Sequence, residues 1–312
     1  MKKALLVRFS SLGDVVLTSV LFNPLIGLGF KPYILTFKPY GELFLDDNRV
    51  KVIEIDKKLF LKEIKKIPKD FEIKVDLHKT LKSLLVRLHI KGKWRSYPKE
   101  SLRRRLSILL KKFRKSYYIP EAYAKSIEDL IKVENPRPSI IVSEARVKRF
   151  KEIFGDYVVI APGARYRKKR YPHFKELSDF FFREGIKVVI VGDSTDFEIS
   201  RDFYGENLCG KLSLTDVLAV IKGARLFIGN DSGLLHCARA VKTKAIQIYG
   251  GTHPTLGFSL YPDEGYVFCR CLDCQPCDLH GKGYCKFNTY ECLDISPLKI
   301  FEQAISILNE PA

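Results

Sequence analysis

Residues 226 to 240 read Leu-Phe-Ile-Gly-Asn-Asp-Ser-Gly-Leu-Leu-His-Cys-Ala-Arg-Ala. The order is an apolar run, a tight turn, and apolar residues (Leu234, Leu235, Ala238) at helical spacing, which predicts strand, turn and helix. Such a turn is a ready anion site, because the first N–H groups of a helix lack intrahelical partners and its dipole favours negative charge there. The N–H groups of Ser232, Gly233 and Leu234 would cradle a diphosphate, with Asp231 and His236 placed to bond a sugar hydroxyl or a phosphate oxygen. The same residues also suit a plain structural role, Asp231 or Ser232 capping the helix and His236 filling space.

A second turn of this kind opens the chain. Residues 3–9 form a strand, Ser10-Ser-Leu-Gly-Asp14 a turn, and Val15 to Leu28 an apolar helix. A carboxylate at such a turn can take a proton from an attacking hydroxyl, and N–H or cationic groups can take up charge on an anionic leaving group. Asp14 has the chemistry for the first role, and would equally serve as an N-cap for the helix at Val15. No Asp-x-Asp triplet, Walker sequence or Gly-x-Gly-x-x-Gly turn occurs in the chain, so a metal-bridged diphosphate is not expected.

Around these turns the elements alternate. Strands are expected at 32–37, 50–55, 71–76 and 91–97, and helices at 58–67, 80–89 and 101–113. Asn135-Pro-Arg-Pro138 interrupts the pattern and Ser143 to Phe154 reads as a linking helix. A second series follows, with a strand at Tyr157–Ala161, the turn Pro162-Gly-Ala-Arg165, a helix at 173–184, strands at 186–191, 226–228 and 244–249, and helices at 214–223 and 233–241. Ser296 as N-cap and Pro297 at the first helical position start a last helix. Strands alternating with helices imply doubly wound parallel sheets whose ligands sit at the strands' carboxyl ends, where Asp14 and Asp76-Leu-His78 also fall.

Val7-Arg-Phe-Ser-Ser-Leu-Gly-Asp14, Ala161-Pro-Gly163 with Lys169-Arg-Tyr-Pro172, and Asn230-Asp-Ser-Gly-Leu-Leu-His236 resemble, in order and spacing, the signature of glycosyltransferase family nine, the ADP-heptose:lipopolysaccharide heptosyltransferases. The resemblance implies a GT-B fold of two Rossmann-like domains facing across a cleft. On this reading residues 1–142 bind the acceptor, 143–155 link, 156–295 bind the nucleotide sugar, and the helix 296–312 crosses back to the first domain. It implies Asp14 as catalytic base and Lys169 as the lysine on the donor phosphates, although Arg165, Arg167, Lys168 and Arg170 crowd the same turn. Tyr171 stands where the family usually has Trp. Asp231 and His236 match the donor-site pair, Thr252 in Gly250-Gly-Thr-His-Pro254 would bond phosphate or sugar, and Glu198 resembles an acid on the nucleoside, with Asp193 competing. Ser10, Ser11, Gly13, Lys79, Arg103, Arg104 and Arg105 are expected toward the acceptor. The donor implied is ADP-heptose, and the acceptor the Kdo and heptose inner core on lipid A.

Eight cysteines occur, six of them between Cys269 and Cys292. Cys274, Cys277, Cys285 and Cys292 would suffice for a structural zinc; disulfides or an iron–sulfur cluster are the alternatives. No cofactor is required for the transfer itself.

Net charge is +18, and residues 57 to 115 hold 21 Lys or Arg against five acids. Such an excess seeks an anionic partner, here an acidic lipid-linked sugar at the inner membrane face. It would also fit a nucleic-acid-binding protein, and a GT-B enzyme using a UDP- or GDP-sugar is the other rival. No apolar run reaches membrane-spanning length and the start is soon interrupted by charge, so a cytoplasmic, peripheral enzyme is expected. One Met, three Gln and abundant Lys, Glu and Ile hint at a heat-adapted source.

Overall fold

A computed structural model describes residues 2–310 and divides the chain into two compact units, Met1–Lys99 with Ile119–Val142, and Glu100–Tyr118 with Ser143–Ala312. The first holds β1 (Lys2–Val7), β2 (Phe30–Phe37), β3 (Lys51–Ile55), β4 (Ile73–Asp76) and β5 (Arg95–Ser96). Their order is β3-β2-β1-β4-β5, and every pairing is parallel. Ala4 to Val7 of β1 are buried without alternation, as a strand covered on both faces requires.

The helices of this unit are α1 (Leu12–Leu17), α2 (Phe22–Gly27), α3 (Phe60–Glu63), α4 (Leu81–His89) and α6 (Ile119–Ala124); α5 (Ser101–Leu109), between the last two in the chain, belongs to the second unit. Helix α1 begins three residues before the expected Val15. Ser11 is its N-cap and Asp14 its third residue, the two closing a capping box, so Asp14 is not the cap itself. Pro24 has no N–H to continue the ladder, and the expected single helix is split by a tight turn at Thr18–Leu21. The strand expected over 91–97 shrinks to Arg95–Ser96, bounded by Gly92 at φ +112° and by Pro98.

In the second unit β6 (Tyr157–Ala161), β7 (Lys187–Ile190), β8 (Glu206–Asn207), β9 (Leu226–Asn230), β10 (Ala245–Ile248) and β11 (Gly265–Phe268) pair in parallel, in the order β11-β10-β9-β6-β7-β8. The two edge strands β8 and β11 escape sequence reading, since β8 is two polar residues and β11 carries only the short run Tyr266 to Phe268 before the cysteines. The helices are α7 (Glu144–Phe154), α8 (Phe174–Arg183), α9 (Asp196–Ile199), α10 (Leu214–Gly223), α11 (Gly233–Ala240) and α12 (Pro297–Leu308).

Three domain expectations change. Residues 100–118 lie in the second unit although they interrupt the first. The expected linking helix α7 packs on α10, with Arg146 donating to Asp216 at 2.7 Å. The last helix belongs to the second unit: Ile300 and Ala304 enter that unit's core, and Phe301 lies 5.1 Å from Phe181. Its apolar stripe is consumed there.

Candidate functional site

In the first unit Val7 and Asp76 are register partners, so the turns after β1 and β4 emerge side by side at the sheet's carboxyl edge. Asp14 Oδ2 accepts from Ser11 Oγ at 2.9 Å and from Ser11 N at 3.3 Å, and pairs with Arg8 Nη2 at 2.8 Å. Arg8 also donates to the Leu77 carbonyl at 2.6 Å, which ties the β4 turn to the β1 turn. Burial opposes the guanidinium charge, but Asp14, then Tyr123 and Tyr97, outweigh it and raise its pKa. Asp14 retains 17% side-chain exposure, and Gly13 is buried beneath it.

His78 stands in the same corner, edge-on to Phe9 at 5.2 Å. Burial first, then the charge of Arg8, pushes its pKa down to about 4, so the ring is neutral at pH 7. Among the described residues its buried Nδ1 has no hydrogen-bond partner. Lys79 folds away from this corner, donating to the Tyr97 carbonyl at 3.2 Å.

The second site is built on β9, β10 and the turn after β6. Asp231, 6% exposed at its side chain, accepts on Oδ2 from Lys169 Nζ at 2.9 Å and from Thr252 Oγ1 at 2.8 Å; Oδ1 accepts from Gln247 Nε2 at 3.3 Å. Burial would raise this carboxyl, but Lys169, Thr252 and His236 outweigh it and hold its pKa below the ordinary value. Ser232 is the N-cap of α11, extended at φ −140°, and Gly233 and Leu234 follow half-exposed, so the helix start is open to solvent. His236, one turn along α11, is buried with its ring 5.7 Å from Phe258.

Glycines let the loops close on this group. Gly251 N donates to the Lys168 carbonyl at 2.6 Å, and a Cβ on Gly250 would lie 2.1 Å from that same oxygen. The Lys169 turn and the Thr252 loop therefore arrive together. At the neighbouring strand ends a Cβ on Gly163 would lie 2.0 Å from Asp196 Oδ2, and Gly192 is equally close-set. Asp196 accepts from Asp193 N at 3.0 Å, and burial raises its pKa.

Comparison with known proteins decides the lineage. The family model described as Glycosyltransferase family 9 (heptosyltransferase) matches residues 61–283. The chain belongs to glycosyltransferase family 9. It is 25% identical over 200 residues to lipopolysaccharide heptosyltransferase 2 of Salmonella typhimurium, 58% of this chain and 53% of that protein. The match thus spans about half the length of that curated relative. In fold it is similar to E. coli ADP-heptose lps heptosyltransferase II, with a TM-score of 0.77, 22% identity and coverage of 99% and 98% of the two chains. An E. coli heptosyltransferase with ADP-2-deoxy-2-fluoro heptose gives a TM-score of 0.67 at 20% identity, covering 97% and 99%. At these identities the structural likeness speaks for the fold: two doubly wound parallel-sheet units, the expected GT-B class.

Within this family 9 chain the expected residues fall into groups. Lys169, Asp231, Thr252 and His236 come together in the second unit, with Ser232, Gly233 and Leu234 at the adjoining helix start. Ser10, Ser11, Gly13 and Asp14 share one turn of the first. Glu198 is exposed on α9, and the carboxylate turned onto the Pro162–Gly163 turn is Asp196, two residues earlier. The three arginines do not join the first unit's group. Arg103 pairs with Glu100 and lies over Tyr117, Arg104 is buried over the Phe258 ring at 5.5 Å, and Arg105 alone is exposed. An amphipathic helix on an apolar loop turns one of three adjacent arginines inward, which adjacency in sequence does not reveal.

All eight cysteines are free thiols. The Cys277 thiol is pushed up by burial and then by Cys274 and Cys285; Cys292 is pushed up to about 11 by burial and then by Cys277, Cys274 and Cys285. The four expected ligands thus lie near enough to feel one another's charge, but among the described residues the His and Cys ligand atoms that converge within 4.8 Å are those of His253, Cys269 and Cys271. His253 Nδ1, however, accepts from Thr255 N at 3.1 Å, which places the neutral ring's proton on Nε2 and leaves no lone pair for a metal.

The cysteine loop grips the loops around Asp231. Gln275, fully buried, donates to the Gly250 carbonyl at 2.6 Å, Cys277 N donates to the Gly251 carbonyl at 2.9 Å, and Gly281 lies against the Lys169 side chain. Sequence reading gave no role to Gln275, Arg8 or Asp196, and placed His78 only through its turn at the sheet's carboxyl edge. An arginine closing an apolar strand and a glutamine within Cys-Gln-Pro-Cys were the available signals.

Proposed function

We propose that this protein is an inverting, metal-independent heptosyltransferase that moves heptose from ADP-heptose to the acidic inner core of a lipid A-linked saccharide, working in the cytoplasm at the membrane periphery. The observation that carries this reading is the buried Asp231, bound by Lys169 and Thr252 beside the open start of α11. Lys169 and the N–H groups of Ser232, Gly233 and Leu234 suit the two charges of a diphosphate leaving group, and Asp231 holds the lysine where it is needed. His236 supports the same turn, and Asp196 or Glu198 would serve the nucleoside. In the first unit Asp14 takes the proton of the attacking hydroxyl as the C–O bond to the anomeric carbon forms and that to the diphosphate breaks, with Ser10, Ser11 and Gly13 shaping the approach. The similar E. coli enzyme is an ADP-heptose lps heptosyltransferase, which supports this donor, and the lipopolysaccharide heptosyltransferase of Salmonella typhimurium supports a lipopolysaccharide acceptor. Cys274, Cys277, Cys285 and Cys292 have the donor chemistry for a structural zinc that would stiffen the grip on Gly250 to Thr252.

Two measurements test the reading. Thermal-shift titration with ADP, UDP, GDP and RNA should show selective stabilisation by ADP; preference for UDP or GDP would point to another nucleotide sugar, and salt-sensitive stabilisation by RNA alone to a nucleic-acid role. Asp14→Asn should lower transfer by about 100-fold or more with ADP binding unchanged. Near wild-type transfer in that folded variant would remove Asp14 as the base.

A further inference from the structure

Five of the first unit's strongly exposed leucines gather on two short helices. Leu81, Leu84 and Leu88 are 73%, 44% and 64% exposed, at spacings i, i+3 and i+7 on α4. Leu59 and Leu61, at α3, are 50% and 63% exposed. These helices adjoin: Lys82 of α4 lies over the Phe60 ring of α3 at 5.2 Å, and Lys65 and Lys69 reach the field of His89 at the end of α4. Lys62, Lys65, Lys66, Arg87 and Lys91 surround the leucines and are all exposed.

The neighbouring acids do not neutralise this face. Glu63 accepts from the Asp56 amide, Asp70 pairs with Lys3 and Glu72 with Lys2, while Asp76 is buried and bound by Ser83 and the His78 and Lys79 amides. A leucine stripe flanked by lysines, with its neighbouring acids buried or already paired, matches an interfacial helix face.

We propose that the α3–α4 face docks on an anionic lipid bilayer, its leucines entering the headgroup–acyl boundary and its lysines meeting lipid phosphates. The charge commits the choice of occupant: a second copy of this chain would bring the same lysines against themselves, whereas an anionic surface complements them. The proposal fits a lipid-linked acceptor but does not need one, and it is tested without one.

Flotation of the full chain with acceptor-free vesicles of phosphatidylglycerol and phosphatidylethanolamine reads it directly. The protein floats with these vesicles, does not float with phosphatidylcholine alone, and is released by salt. L81S/L84S/L88S lowers the bound fraction at least tenfold with an unchanged unfolding midpoint and ADP-induced shift, and K62E/K65E/K66E does so at low salt. Failure of the wild type to float, equal flotation of the leucine variant, or a dimer in solution that the leucine variant dissociates would overturn the proposal. Because donor binding and transfer are not part of the readout, failure of the heptosyltransferase reading leaves this result standing, and the reverse also holds.

Discussion

At the scale of single residues, the two sites set ionisable groups against burial in opposite ways. Asp231 is buried with its cation, so removing one partner leaves the other charge exposed to a low dielectric, a loss of about 3–5 kcal/mol where a buried pair is broken. Asp231→Asn should therefore destabilise the protein and weaken ADP, and Lys169→Met added to it should restore urea stability without restoring ADP affinity. Equal stability of the single and double variants would show the pair to be uncoupled. His78 is half-buried, and Asp14 and Asp76 offset only part of the cost of charging it. Its unfolded form takes a proton near pH 6.5, its folded form only near pH 4, so it contributes stability above pH 6.5 that is lost as pH falls through that window, on the order of 3 kcal/mol in all. His78→Gln should flatten the fall in urea midpoint between pH 7 and pH 4.5; an unchanged slope would assign the acid sensitivity elsewhere. Asp231 and His236 could be grouped from the turn motif, because it names residue types with one shared purpose, whereas Lys169 and Thr252 were reached only through the resemblance to the family. Asp196 was not legible, because three acids lie within six residues and only the packing against Gly163 and Gly192 separates them.

Among the elements, position is enforced by close backbone approach as well as by side chains. With no room for a Cβ beside the Lys168 carbonyl, Gly250→Ala must push the Thr252 loop from the Lys169 turn. That variant should lose affinity for ADP about tenfold or more, through displaced groups and not through lost contacts. Gln275→Ala cuts the buried hydrogen bonds to the Gly250 and Thr252 carbonyls and should act in the same direction at 1–3 kcal/mol, roughly the penalty of unsatisfied buried carbonyls. Isothermal titration with ADP reads both, and undiminished affinity in either would show that the cysteine loop does not position the site. The strands through the sheet centres were readable from continuous apolar runs. Helix starts were less so: Ser11 and Asp14 form a capping box that moves α1 back to Leu12, and a polar turn followed by apolar residues does not show which polar residue is the cap.

Across the whole molecule, the sequence hides how charge is shared. The basic stretch from 57 to 115 is continuous in the chain, yet 57–99 lies in the first unit, with 14 Lys or Arg against four acids, and 100–115 in the second, with seven against one. Composition alone made this one patch; contacts far apart in sequence divide it. Thr255 Oγ1 donates to the Lys115 carbonyl at 3.0 Å, Tyr118 stacks on Tyr261 at 4.4 Å, and Arg104 covers Phe258, whose other neighbour is His236. The excursion thus acts as cover for the 253–261 loop, a role distinct from the lipid-facing one proposed for α3 and α4. Replacing 101–117 by a Gly/Ser linker of equal length should weaken ADP about tenfold, the loss expected when a packed cation–aromatic contact worth about 1–2 kcal/mol is removed. Hydrogen exchange in the variant should quicken around 253–261 and α11 and stay unchanged in β1 to β4, and flotation with anionic vesicles should persist. Faster exchange in the first sheet with an unaltered second would mean that the excursion stabilises the unit it interrupts, and the division of roles argued from its contacts would fall.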